Sequence, residues 1–179
     1  MISAVLSLLI VSALGFAQTP DEMIEKALLP APRNLKDGAT VVKWKSDFTY
    51  DTLRKGTNRL VCYDRSGQPG QQPFAVECTS IANLDRVAQS LKIEAMGDAK
   101  AVRAAFEALE KEGKWIKPEF GSLWIHMSGA TQAMARMHVT VAVPGATMQS
   151  LGFPENGNQG GVWIMNAGSS AAHLMTPGS

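Results

Sequence analysis

Two segments in the last third of the chain alternate strictly between apolar and other residues. In the first, Leu123, Ile125 and Met127 interleave with Trp124 and His126; in the second, Met137, Val139, Val141 and Val143 interleave with His138, Thr140 and Ala142. A period of two commits one side of an extended ribbon to an apolar layer and the other side to something else. The chain must therefore build a sheet here, and Pro144-Gly145 ends the second strand. If the two strands pair as a hairpin with Met127 facing Met137, then His126 falls opposite His138 and Trp124 opposite Thr140. The two imidazoles would lie about 5 Å apart at Cβ.

The rest of the chain supplies partners for that ribbon. Ala39 to Lys45 and Phe48 to Leu53 read as strands, as do Arg59 to Tyr63, Phe74 to Cys78 and Val162 to Met165. Thr19 with Pro20, Asp21 and Glu22 starts a short helix that Pro30 and Pro32 stop. Ser80 to Ala95 carries a helical stripe of Ile81, Leu84, Val87, Ala88 and Leu91. A second stripe follows, with Asp98 as cap, Val102, Ala105, Phe106 and Leu109 as its apolar residues and Gly113 as stop. Strands before and after a helical pair, without strict alternation, predict an α+β domain rather than a doubly wound fold. We expect a mainly antiparallel sheet of five or six strands, with the helical pair packed on one face and a disulfide-tied hairpin at an edge.

Met1 to Ala17 carry no charged side chain, are mostly apolar and end on small residues just before Gln18-Thr19-Pro20-Asp21. That stretch is shorter than the roughly 20 residues of a membrane span and reads as a signal peptide, residues 1–17, ahead of a single domain over residues 18–179. Export to the periplasm or the extracellular space is the expectation, without stable membrane insertion. In that oxidising setting Cys62 and Cys78, the two cysteines of the chain, should form a disulfide across the turn-rich Ser66 to Gly70. The formal charge of +1 gives no footprint for nucleic acid.

Common catalytic signatures are absent: there is no G-x-S-x-G elbow, phosphate loop, H-E-x-x-H or C-x-x-C-H. A non-enzymatic domain that binds a small molecule or a protein is the leading expectation. One alternative is a zinc or copper protein that uses His126, His138 and His173, since three imidazoles with an open position suit zinc. Methionines flank these histidines, and thioethers suit monovalent copper, but alternation places Met127 and Met137 on the apolar side as core filler. A hydrolase of unrecognised type is the other alternative.

Three local patterns carry a likeness. They are Gly56-Thr57-Asn58-Arg59-Leu60-Val61-Cys62; Gly152-Phe153-Pro154 followed by Gly160-Gly161-Val162-Trp163-Ile164-Met165; and Ala172-His173-Leu174-Met175-Thr176-Pro177. In this order the chain resembles a set of exported bacterial proteins of unknown function. The resemblance implies bacterial export and one shared fold, and brings no activity with it. In those proteins a tryptophan stands shortly before the cysteine, where this chain has Arg59, Leu60 and Val61.

Overall fold

The computed structural model describes residues 18–176, so the segment read as a signal lies outside the described residues, as does Pro177. Eight strands form one sheet: β1 (Thr40–Trp44), β2 (Tyr50–Arg54), β3 (Leu60–Asp64), β4 (Phe74–Ser80), β5 (Leu123–Gly129), β6 (Arg136–Ala142), β7 (Trp163–Met165) and β8 (His173–Met175). Their order across the sheet is β2-β1-β3-β4-β5-β6-β8-β7. Every pairing is antiparallel except β1 with β3. The helices are α1 (Pro20–Ala27), α2 (Arg33–Lys36), α3 (Leu84–Glu94), α4 (Ala99–Lys111) and α5 (Met148–Leu151). Among the described residues no helix is long and apolar enough to cross a membrane. The fold is α+β.

Sequence periodicity undercounts the sheet. β8 has three residues and lies between β6 and β7. The parallel step is also invisible to periodicity, because it arises where the chain leaves β2 and crosses over β1 to reach β3. At that crossing Gly56 passes against the backbone: a Cβ there would stand 2.3 Å from the Gly38 carbonyl oxygen and 2.5 Å from the Thr40 nitrogen. Only glycine fits. The amides of Thr57 and Asn58 both donate to that Gly38 oxygen, at 2.8 and 3.0 Å. Asn58 Nδ2 donates to the Leu35 carbonyl at 2.7 Å, and its Oδ1 accepts from the Leu60 amide at 2.9 Å. The Gly-Thr-Asn pattern thus has a structural task.

Both faces of the sheet are covered over its first half. On one face α1, closed by a reciprocal cap between Thr19 and Glu22, lays Ile24, Ala27 and Leu28 against Val41, Leu60, Cys62, Cys78 and Ile125. On the other, α3 buries Leu84, Val87 and Leu91 against Val42, Val61 and Tyr63, with Trp44, Phe48 and Trp124 alongside. Cys62 and Cys78 are register partners on β3 and β4 and form a disulfide. The expected edge position is corrected, since β3 and β4 are interior strands of the sheet and both cysteines are fully buried. A third apolar cluster, Val143, Ala146, Ile164 and Ala172 with Leu151 and Leu174, secures the β7–β8 end. Gly152 stops α5 at a φ of 73°, and the Pro154 carbonyl accepts from the Ile164 amide at 2.8 Å, so the Gly-Phe-Pro pattern is also part of the frame.

Candidate functional site

α4 is more strongly amphipathic than α1 or α3, and yet none of its residues is fully buried. Asp98 caps it by accepting from the Ala101 amide at 2.8 Å, and Gly113, at a φ of 65°, ends it. Its partner α3 buries Leu84, Val87 and Leu91, whereas Val102, Ala105, Phe106 and Leu109 on the stripe of α4 are each partly buried. An apolar helical face is normally closed by a core. Here it borders a groove of about 870 Å³, lined by Val102 and Phe106 of α4, by Trp115, by Ala167 and Ala171, and by Pro69 of the β3–β4 loop.

Aromatic and charged groups shape this groove. The rings of Phe106 and Trp115 lie 4.8 Å apart, and the Arg86 guanidinium sits 4.1 Å from the Trp115 ring centre. Arg86 also donates to the Ile116 carbonyl, and burial pushes its pKa down to about 10 against the opposing pull of Glu110. Such a cation on an indole face fixes the ring. The Trp115 Nε1 is buried and has no hydrogen-bond partner. Glu94, Arg103, Glu107 and Lys111 bring both signs of charge to the lining.

One carboxylate closes the far end. Glu110 of α4 accepts from the Ser170 amide at 2.7 Å and from the Ser170 hydroxyl, clasping the segment that carries Ala167 and Ala171 to the helix. Those two bonds hold the Glu110 carboxyl below its ordinary value of 4.5. A depressed carboxylate contributes stability that is complete above the unfolded value and is lost as pH falls through the depressed one. The Ser170 amide should therefore be protected from hydrogen exchange at neutral pH and lose that protection as pH drops below 4.5. In Glu110→Gln the protection should be weak at every pH; an unchanged profile in the variant would remove the clasp.

The three histidines share one sheet face without forming one cluster. His126 pairs with His138 across β5 and β6, and Glu77 of β4 stands opposite His126 on the other side. His173 pairs with Ala142, four positions along β6 from His138, a separation of roughly 13 Å at strand spacing. Its Nδ1 is 2.8 Å from the Ala171 carbonyl, and the ring borders a small cavity of about 230 Å³ with Trp115, Trp124 and Thr140. The structure therefore brings His126 and His138 together and leaves His173 apart, because β8 pairs with the opposite end of β6. Among the described residues no group of three or more His, Cys, Asp or Glu side chains is gathered to hold a metal ion.

The pair lies at the end of a buried polar row. Tyr63 donates to Glu77 Oε1 at 2.9 Å, Trp124 Nε1 donates to the same oxygen, and Arg65 stands 3.5 Å from Oε2 while also pairing with Glu94. Burial, and then the Glu77 charge, raise the Tyr63 phenol well above its usual value, so it remains a donor. Burial lowers His126, with Glu77 pulling it back up, and its Nε2 has no partner. No sequence motif announces the row: Tyr63 and Glu77 are 14 positions apart and meet through the register of β3 and β4, one pair along from Cys62 and Cys78. The groove is equally silent in the sequence, since an amphipathic stripe looks the same whether a core or a cavity faces it. Comparison with protein-family models, with curated proteins and with solved structures found no match to the chain.

Proposed function

We propose that this chain is an exported, non-enzymatic binding domain that holds a small, mostly apolar molecule in the groove beside α4. The observation that carries the reading is an amphipathic helix whose stripe residues Val102 and Phe106 border a space of about 870 Å³. Small-molecule sites commonly occupy roughly 300–1,000 Å³ and combine apolar and aromatic walls with a few polar groups. Phe106 and Trp115 supply the aromatic wall. Export is supported by the uncharged, apolar Met1 to Ala17 and by the placement of both cysteines in a disulfide. The likeness to exported bacterial proteins agrees with that compartment.

The chemistry of the groove favours binding over catalysis. Glu110 reaches the Ser170 hydroxyl, but a carboxylate held below its ordinary value is a weak base for activating it. His126 and His138 offer two nitrogen donors, fewer than the three of an open zinc site.

The test uses 1-anilinonaphthalene-8-sulfonate as the probe. One probe per chain should bind with enhanced, blue-shifted emission. Val102→Trp, which fills the groove, should weaken binding by about tenfold or more while the circular dichroism spectrum and melting temperature stay in place. Absence of binding to the wild-type protein, or equal binding by a folded Val102→Trp variant, would overturn the reading.

A further inference from the structure

The sheet face that carries the disulfide is covered by α1 over β1, β3 and β4, and its cover stops short of the β5–β6 turn. Met127 and Met137 are register partners on that uncovered part, about 5 Å apart at Cβ. Gly129 lies two positions beyond Met127 and so points to the same side. A Cβ built on Gly129 would come within 2.9 Å of the Met134 carbonyl oxygen and 2.8 Å of the Ala135 Cα. The backbone of Met134 and Ala135, at the end of the turn Gln132–Met134, therefore lies against this face beside Gly129, two positions from Met127. Met137 is 50% exposed, which corrects the expectation that it fills the core, whereas Met127 is partly buried; Met134 is 68% exposed.

An exposed methionine forgoes the roughly 1.5–3 kcal/mol that burial of its side chain supplies. Met134 and Met137 are exposed in an M-x-x-M spacing beside the partly buried Met127, and together the three form a concentration of thioether sulfur at one end of a hairpin. Their cross-strand neighbours on β4 are apolar: Val76 opposite Met127 and Phe74 opposite Gly129. Both thiols of the chain are locked in the disulfide, and there is no free cysteine. The imidazoles of His126 and His138 alternate to the reverse face of the same strands. Soft donors without charge, on an apolar floor, select a soft monovalent ion over zinc, calcium or magnesium. Thioethers also persist in an oxidising compartment where thiols close into disulfides.

We propose that Met127, Met134 and Met137 form a thioether site for copper(I). The site is separate from the groove beside α4 and stands or falls independently of it.

The disulfide-intact protein is titrated anaerobically with copper(I) against bicinchoninate, without thiol reductants, and in parallel with silver(I) as a redox-inert probe. One ion per chain should bind, and the methyl resonances of Met127, Met134 and Met137 should move while those of Met23, Met96 and Met175 stay in place. Met134→Leu and Met137→Leu keep the apolar surface but remove a sulfur, and each should weaken binding by about tenfold or more. His126→Ala with His138→Ala should bind as wild type does. The proposal is overturned by absence of binding, by full binding in both leucine variants, or by loss of binding only in the histidine variant.

Discussion

Replacing both Cys62 and Cys78 with alanine should lower the unfolding free energy by about 3 kcal/mol, with a range of 2–5 for small secreted domains. The bridge closes a loop of sequence separation 16, for which the chain-entropy model gives about that value. Its location adds a second cost. Both sulfurs lie fully buried between interior strands, against Ala27, Leu28, Val41 and Ile125, so the double alanine variant also leaves a void in that layer. A shift of this size is readily seen as a displaced midpoint in urea denaturation of the double variant. The same transition in wild-type protein treated with a reductant should fall towards that of the variant. A double variant within 1 kcal/mol of wild type would mean that strand pairing alone, not the bridge, holds β3 to β4 at Cys62 and Cys78.

How far the sequence led, and where it stopped, follows from the range of the forces involved. Alternation over Leu123–Gly129 and Arg136–Ala142 is a local signal, and hairpin geometry converts it into cross-strand partners, so the pairing of His126 with His138 follows once the strands are adjacent. The caps at Thr19 and Asp98 and the stop at Gly113 are local too, and they delimit α1 and α4. By contrast, the parallel β1–β3 step depends on Gly56 crossing Gly38, and the place of β8 depends on a strand more than thirty positions earlier. Neither leaves a periodic trace. The half-open stripe of α4 and the exposed methionines fail for one shared reason. Hydrophobicity records that a side chain leaves water readily, and says nothing about whether a partner is present to receive it. The Gly-Thr-Asn and Gly-Phe-Pro patterns, which bring no activity with them, hold a backbone crossing and a helix stop.

Glu77→Leu should be the most destabilising single substitution of the polar row, at about 3–5 kcal/mol by chemical denaturation. Glu77 is 6% exposed, and its carboxylate accepts from Tyr63 and Trp124 and faces Arg65. Removing it leaves a hydroxyl and an indole N–H without an acceptor in a dry layer, and leaves Arg65 with Glu94 as its remaining carboxylate. Burial opposes the charge on Arg65, and Glu77 and Glu94 together outweigh it, so the loss of one partner is felt directly. Glu77→Gln keeps an acceptor for Tyr63 and Trp124 while removing the charge, and should recover part of the loss. Tyr63→Phe deletes a single donor and should cost about 1 kcal/mol. An Arg65→Met, Glu77→Leu double variant should be less damaged than the sum of its parts, because it removes both members of the buried pair and leaves the more exposed Glu94 as the ion that loses a partner. The histidine opposite Glu77 provides an independent readout. Burial already lowers His126 and Glu77 pulls against that, so in Glu77→Gln the His126 ring should titrate at lower pH than in wild type. If Glu77→Leu stays within 1 kcal/mol of wild type and His126 titrates unchanged in Glu77→Gln, the row is a set of independent surface-like contacts. It would then have no part in setting the register of β3, β4 and β5.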